Sequence, residues 1–240
     1  MDFSIHDSIL LFVHVQKTAG QTLREILHRQ YGDESCMEIG RSAHHTSLEE
    51  LKQLPQSRRD TLKCVMAHLP YGLHCLFNRT YAYITMLRDP LERAVSQYFY
   101  ICRTPTNERY TAIKETGFSF LSYVENNEFG RPDNMQTRYI TGEPSKEKMD
   151  MEDLKHAQHM LLNEYAAFGI TERFDDSIRL FTKQFNWKQR PFQSKNQTLN
   201  RPAVHSLNHK ALQLLKEKNH YDLKLHEFAQ NAFSKRMQRL

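Results

Sequence analysis

The chain has 240 residues, 39% hydrophobic and 25% charged, enough apolar material for a single α/β domain, expected to span 1–240, with a sizeable core. Its formal charge of +5 is uneven: residues 183–240 hold 12 Lys or Arg against 3 acids, while residues 104–182 hold 9 against 14. The basic end suits an anionic ligand and equally a solvated helical surface. No run approaches the roughly 20 apolar residues a membrane-spanning helix needs, and four cysteines without C-x-x-C spacing argue against a disulfide framework and for a reducing compartment.

In chain order, Ile9–Val15 is a continuous branched-apolar run, the signature of a strand covered on both faces. The opening lacks a basic lead and contains His14, so it reads as a core strand and not as a signal peptide. A helix is predicted over about Gln21–Gln30, with Leu23, Ile26 and Leu27 on one side. Residues 32–60 are polar and less regular, with a short helix near Ser47–Leu54 opened by the cap-like TSLEE. Leu62–Ala67 and Tyr81–Leu87 are strand candidates, the latter running into RDP and a helix from about Leu91 to Cys102. The middle reads as helical near 117–128, 133–141 and 150–163, interrupted by the turn-forming FGRPD and TGEPS. A strand at Ala166–Ile170, an amphipathic helix through Phe174, Ile178, Phe181 and Phe185, a polar loop and two further helical stretches complete the chain. Strand, loop and helix recurring with short connections predict a three-layer α/β fold with a central, mostly parallel sheet flanked by helices.

In such a fold, ligands bind beyond the carboxyl ends of strands, where the next helix offers unpaired N–H groups. QKTAGQT lies there. It supplies small residues at Ala19 and Gly20 for close backbone approach, hydroxyls at Thr18 and Thr22, and one cation at Lys17, which together suit a single phosphate. The lysine precedes the glycine and G-x-x-x-x-G-K-[ST] is absent, so this is not the loop of a nucleoside triphosphatase. YITMLRDPLERAVSQYFY repeats the strand-to-helix arrangement, with Asp89 and Pro90 opening the helix and Arg88 and Ser96 left to grip a second phosphate.

These two stretches, KTAGQTL and LRDPLERAVSQY, resemble the 5′-phosphosulfate loop and 3′-phosphate motif of sulfotransferases that use 3′-phosphoadenosine 5′-phosphosulfate (PAPS). The sequence is most similar to the carbohydrate group, sulfotransferase family 2, with the heparan and uronyl 2-O-sulfotransferases. NMQTRYITGEP, FGITERFDDSIRLF and NRP…NHYDLKLHEFA extend the resemblance over nearly the whole chain. One departure is Gln16, where members usually carry Pro, which loosens the turn without removing a ligand group.

The resemblance implies a P-loop-like fold and a transferase that moves a sulfuryl group from PAPS to a hydroxyl of a carbohydrate acceptor, leaving 3′-phosphoadenosine 5′-phosphate (PAP) and requiring no metal. It also implies that Lys17 contacts the bridging oxygen, that Thr18, Ala19, Gly20, Gln21 and Thr22 hold the 5′-phosphate, that Arg88 and Ser96 hold the 3′-phosphate, and that Lys195, Thr198 and Arg201 close on the nucleotide. For a base, His68 follows a strand directly, at the same sheet edge as both phosphate motifs, and related proteins carry a histidine in a similar turn. His14 reads as a core residue. His44, with His45, suits the acceptor cleft, and Asn134, Gln136 and Arg138 suit either acceptor recognition or a polar helix face. Tyr71, Tyr98 and Tyr100 offer flat surfaces for a sugar or adenine or simply core. His156 and His159 read as solvent-facing; His205 and His209 have metal-pair spacing without further ligands and read as surface.

A small-molecule kinase with a degenerate phosphate loop and a non-catalytic nucleotide- or polyanion-binding module remain the alternatives. Nucleic acid is not an expected partner, and sequence alone leaves oligomeric state open. The expected compartment is the cytoplasm, with the lumenal domain of a truncated Golgi membrane protein as the alternative.

Overall fold

The computed structural model describes residues 8–40, 46–107, 109–115, 117, 119–126, 133–188, 191 and 203–240. In chain order the elements are β1 (Ile9–Val13), α1 (Gly20–Tyr31), β2 (Cys36–Ile39), α2 (Leu48–Gln53), α3 (Gln56–Thr61), β3 (Cys64–Ala67), β4 (Tyr81–Leu87), α4 (Pro90–Arg103), α5 (Tyr110–Glu115), α6 (Phe120–Glu125), α7 (Met135–Thr141), α8 (Met151–Asn163), β5 (Tyr165–Ile170), α9 (Phe174–Gln184), α10 (His209–Lys218) and α11 (His220–Met237). The fold is α/β, a five-stranded sheet flanked by helices in the order β2-β3-β1-β4-β5, every neighbouring pair parallel.

The central strands are buried along their length: all five residues of β1, all four of β3 and six of seven in β4. Parallel pairing forces crossovers that cover both faces, which explains the unbroken apolar runs. Helix starts follow local chemistry. Ser47 and Glu50 form a capping box on α2, Asp150 and Asp153 another on α8, and Asp89 accepts from the N–H groups of Leu91 and Glu92 ahead of Pro90 in α4.

Strand β2, missing from the sequence reading, is a four-residue edge strand with a half-exposed centre, and its residues Met37 and Glu38 give no apolar run. Helices α3 and α5, six residues each, were likewise too short to show a period. The first strand stops at Val13, so His14 and Val15 already belong to the turn. The main core packs the five strands with α1, α8, α9 and α11. A second cluster joins α4, α5, α6 and α10 through Leu91, Ile101, Ile113, Tyr123 and Leu215.

The chain leaves β1 toward β2 on one side and leaves β4 toward β5 on the other. The strand order therefore switches between β1 and β4, and a crevice opens beyond their carboxyl ends.

Candidate active site

The turn after β1 is bent by two non-glycine residues with left-handed backbone, Lys17 at φ 69° and Ala19 at φ 60°. Such conformations cost about 1–3 kcal/mol each and persist where the surroundings over-determine them. Here Thr18, fully buried, donates its hydroxyl to the Val15 carbonyl at 2.7 Å, and the Arg88 guanidinium donates to the Lys17 carbonyl at 3.0 Å. Alternating backbone hand of this kind turns successive N–H groups toward one concavity. Helix α1 then starts at Gly20 with no side-chain cap and no acid in its first turn, so its N-terminal donors and partial positive charge suit an anion. Gly20 leaves room for the His14 ring: a Cβ there would fall 1.7 Å from its Nε2, so a larger residue would have to displace that ring.

The turn after β4 lies against the first. Arg88 immediately follows the strand, with its guanidinium 3.0 Å from the Lys17 carbonyl and 3.6 Å from the Glu92 carboxylate. The Lys17 ammonium sits 4.1 Å from the ring centre of Tyr100, on the helix that Arg88 precedes. Ser96, 4% exposed, lies in the second turn of that helix. The Asp89 N–H donates to Glu172 at 3.0 Å. Burial alone would raise the pKa of Glu172, but His226 and the donated N–H outweigh it and hold the carboxyl below its ordinary value.

The third strand end brings the candidate base. Val13 pairs with Ala67 on one side and Thr85 on the other, so the residues beyond β1, β3 and β4 reach the same sheet edge. His68 Nδ1 lies 3.1 Å from the His14 carbonyl, and the two rings are in tilted contact, centroids 4.0 Å apart and planes at 30°. A carbonyl oxygen only accepts, so Nδ1 carries the proton and the Nε2 of a neutral His68 holds the lone pair. The arrangement fixes the tautomer a proton acceptor needs.

Asn134, at the N-cap of α7, and Gln136 and Arg138 within that helix are buried. Asn134 accepts from the N–H groups of Tyr221 and Asp222, Gln136 bonds both backbone groups of Arg88, and Arg138 pairs with Asp133 and donates to the Lys146 carbonyl. Their polar atoms join elements together. His44, His45, Lys195, Thr198 and Arg201 lie outside the described residues.

Three participants escaped the sequence reading in these roles: His14 as the partner of His68, Tyr100 as the platform for Lys17, and Gln136 as the support of Arg88. For His14 the position just beyond a strand end appears only in the structure, because the apolar run was read as a strand through Val15. For the other two the contacts join residues 83 and 48 positions apart and leave no local pattern.

The sequence model of the sulfotransferase family matches residues 3–229. Among curated proteins, the chain is 27% identical to heparan-sulfate 6-O-sulfotransferase 1-B of Danio rerio, over 67% of this chain and 46% of that protein. It is 25% identical to heparan-sulfate 6-O-sulfotransferase 2 of Gallus gallus, over 99% of this chain and 70% of the relative. The Cricetulus griseus heparan-sulfate 6-O-sulfotransferase 1 is also 25% identical, over 97% of this chain and 69% of its own length. The chain thus spans about half the length of the first of these relatives and about 70% of the other two. Among solved structures, mouse sulfotransferase SULT7A1 complexed with PAP aligns with a TM-score of 0.42 and 15% identity, over 77% of this chain and 60% of that one, an overlap too loose to place residues. The family model, running through both candidate turns and the strand end between them, carries the assignment: the chain belongs to the sulfotransferase family.

Proposed function

We propose that the protein transfers a sulfuryl group from PAPS to a hydroxyl of a carbohydrate acceptor. The observation that carries this reading is the 3.0 Å bond from the Arg88 guanidinium to the Lys17 carbonyl, which makes two anion-binding turns share one mouth with His68 at the next strand end. A donor with phosphates at both ends of its ribose needs two such cradles close together. The residues fit it: an uncapped helix N-terminus with no acid in its first turn, a glycine whose place a larger residue could take only by displacing the His14 ring, and Arg88 just ahead of the next helix with Ser96 on it.

When bound, the donor supplies an already activated sulfuryl group. The N–H groups from Ala19 to Thr22 would hold its 5′-phosphate, and Arg88 with Ser96 its 3′-phosphate. Lys17 offsets negative charge that develops on the bridging oxygen as the S–O bond breaks. His68 takes the acceptor's proton on Nε2 as the new O–S bond forms, so the proton ends on the imidazole and the electron pair of the broken bond on the departing phosphate. The fixed positions of these groups supply orientation. The relatives are named for heparan-sulfate 6-O transfer, which supports a carbohydrate acceptor, and the sequence motifs resemble those of 2-O enzymes, so both hydroxyl positions are candidates.

The test pairs calorimetry with product analysis. PAP should bind more tightly than magnesium ATP, and labelled donor should pass its sulfate to a heparan-type polysaccharide, with the position of the new ester read by disaccharide analysis. Equal affinity for PAP and ATP would overturn the reading, as would magnesium-dependent ATP turnover.

A further inference from the structure

We propose that Gln136 is a positioning residue for donor recognition: its side-chain amide clamps the peptide of Arg88 and thereby aims the guanidinium. The inference rests on the reading that Arg88 grips the 3′-phosphate. Gln136 is 1% exposed. Its Oε1 accepts from the Arg88 N–H at 2.9 Å, and its Nε2 donates to the Arg88 carbonyl at 2.8 Å. Both main-chain groups of one residue are therefore held by one side chain.

The position explains why this matters. Arg88 is the first residue past β4, whose last ladder partner pairs Leu87 with Ile170. Beyond that point the sheet no longer holds the backbone, yet the direction in which the Arg88 side chain leaves is set by that backbone. The amide substitutes for the missing neighbouring strand. Glu172 completes the fixation by accepting from the next N–H, that of Asp89.

The clamp is itself anchored from far along the chain. Asp222, at the start of α11, accepts from the N–H groups of Gln136 and Thr137 at 2.9 and 2.8 Å and from the Thr137 hydroxyl at 2.7 Å. Asn134 and Asn219 bond across the same junction, Asn134 taking the N–H groups of Tyr221 and Asp222 while its own N–H donates to Asn219. The first turns of α7 and α11 thus cap one another, and the geometry reaches Arg88 through Gln136. An amide suits the post because it presents a donor and an acceptor on one planar group. An acceptor-reading glutamine would keep those atoms for a ligand; this one spends both on the protein.

The experiment compares titrations with PAP and with adenosine 5′-phosphate, whose affinity ratio isolates the 3′-phosphate. Arg88→Ala should collapse the ratio. Gln136→Met should lower it by roughly tenfold or more, the size expected for a misaligned charge-assisted bond, with adenosine 5′-phosphate binding falling less than PAP binding. The double variant should lose no more than Arg88→Ala alone, because the two act on one contact. An unchanged ratio in Gln136→Met, with Arg88→Ala still collapsing it, would overturn the clamp and leave the donor site standing. A wild-type protein with no preference for PAP would bring down the donor reading and the clamp with it. Should Gln136→Met fail to fold, Gln136→Glu gives a second reading: a protonated carboxyl restores donor and acceptor together, so the ratio should recover toward the wild-type value as pH falls. A pH dependence identical to that of the wild type would refute the clamp.

Discussion

The role proposed for His68 depends on one hydrogen bond, which sets its tautomer. The Nδ1–H to the His14 carbonyl leaves the lone pair on Nε2, the atom that would take the acceptor's proton in the proposed reaction. His68→Ala should lose roughly 10²–10⁴-fold in kcat while PAP titrations stay unchanged. Lys17→Ala should also depress kcat. Full turnover in His68→Ala, followed by product assay, would assign the base elsewhere. Lys17, Arg88 and His68 were legible as candidates because each stands just past a predicted strand, where this class of fold exposes polar groups. Gln136 was legible only as a polar residue of open purpose, since its partner lies 48 positions away and neither flanking stretch carries a mark of the contact.

At the scale of elements, α1 is tied to β2 by a polar network. His28 contacts Asp33 through Nδ1 and Glu38 through Nε2, each at 2.8 Å, and Arg24 reaches Glu38 at 3.0 Å. Burial pulls the His28 pKa down, but the hydrogen bond to Glu38, the nearby Cys36 and the bond to Asp33 outweigh it and raise it above its ordinary value. Because the folded value is the higher one, the stabilisation is fully present below the unfolded pKa of about 6.5 and is lost as pH rises through the folded value. Wild type should therefore exceed His28→Gln in melting temperature at about pH 6, and the gap should narrow by about pH 8. A gap that widens with pH would contradict the sign. The sequence reading placed α1 well, from its apolar spacing, and missed β2. Yet β2 is what gives His28 its partner, because Glu38 at the centre of an edge strand has the exposure that hides a strand and the reach that anchors a helix.

Across the whole molecule, the order β2-β3-β1-β4-β5 brings the candidate mouth together from widely separated segments. β1 supplies Lys17, β3 His68 and β4 Arg88, while β5 leads to Glu172 and α7 holds the Arg88 turn. The parallel character was readable from the continuous apolar strands, and the site's edge followed from it. The strand order was not readable, because nothing local states that β4 lies beside β1 and not beside β3. A ligand that joins the turns after β1 and β4 should stabilise this arrangement as a unit. PAP at a hundred times its dissociation constant should add about 2.7 kcal/mol, which for a chain of this size corresponds to a melting shift of about 5–10 °C. Hydrogen exchange should slow at residues 17–22 and 88–92 and also across the first turn of α7, which touches no phosphate in the proposed arrangement and is tied to the mouth through Gln136. Protection confined to the turn after β1, with that after β4 exchanging as before, would mean that the two cradles do not serve one nucleotide, however close the Arg88 guanidinium stands to the Lys17 carbonyl.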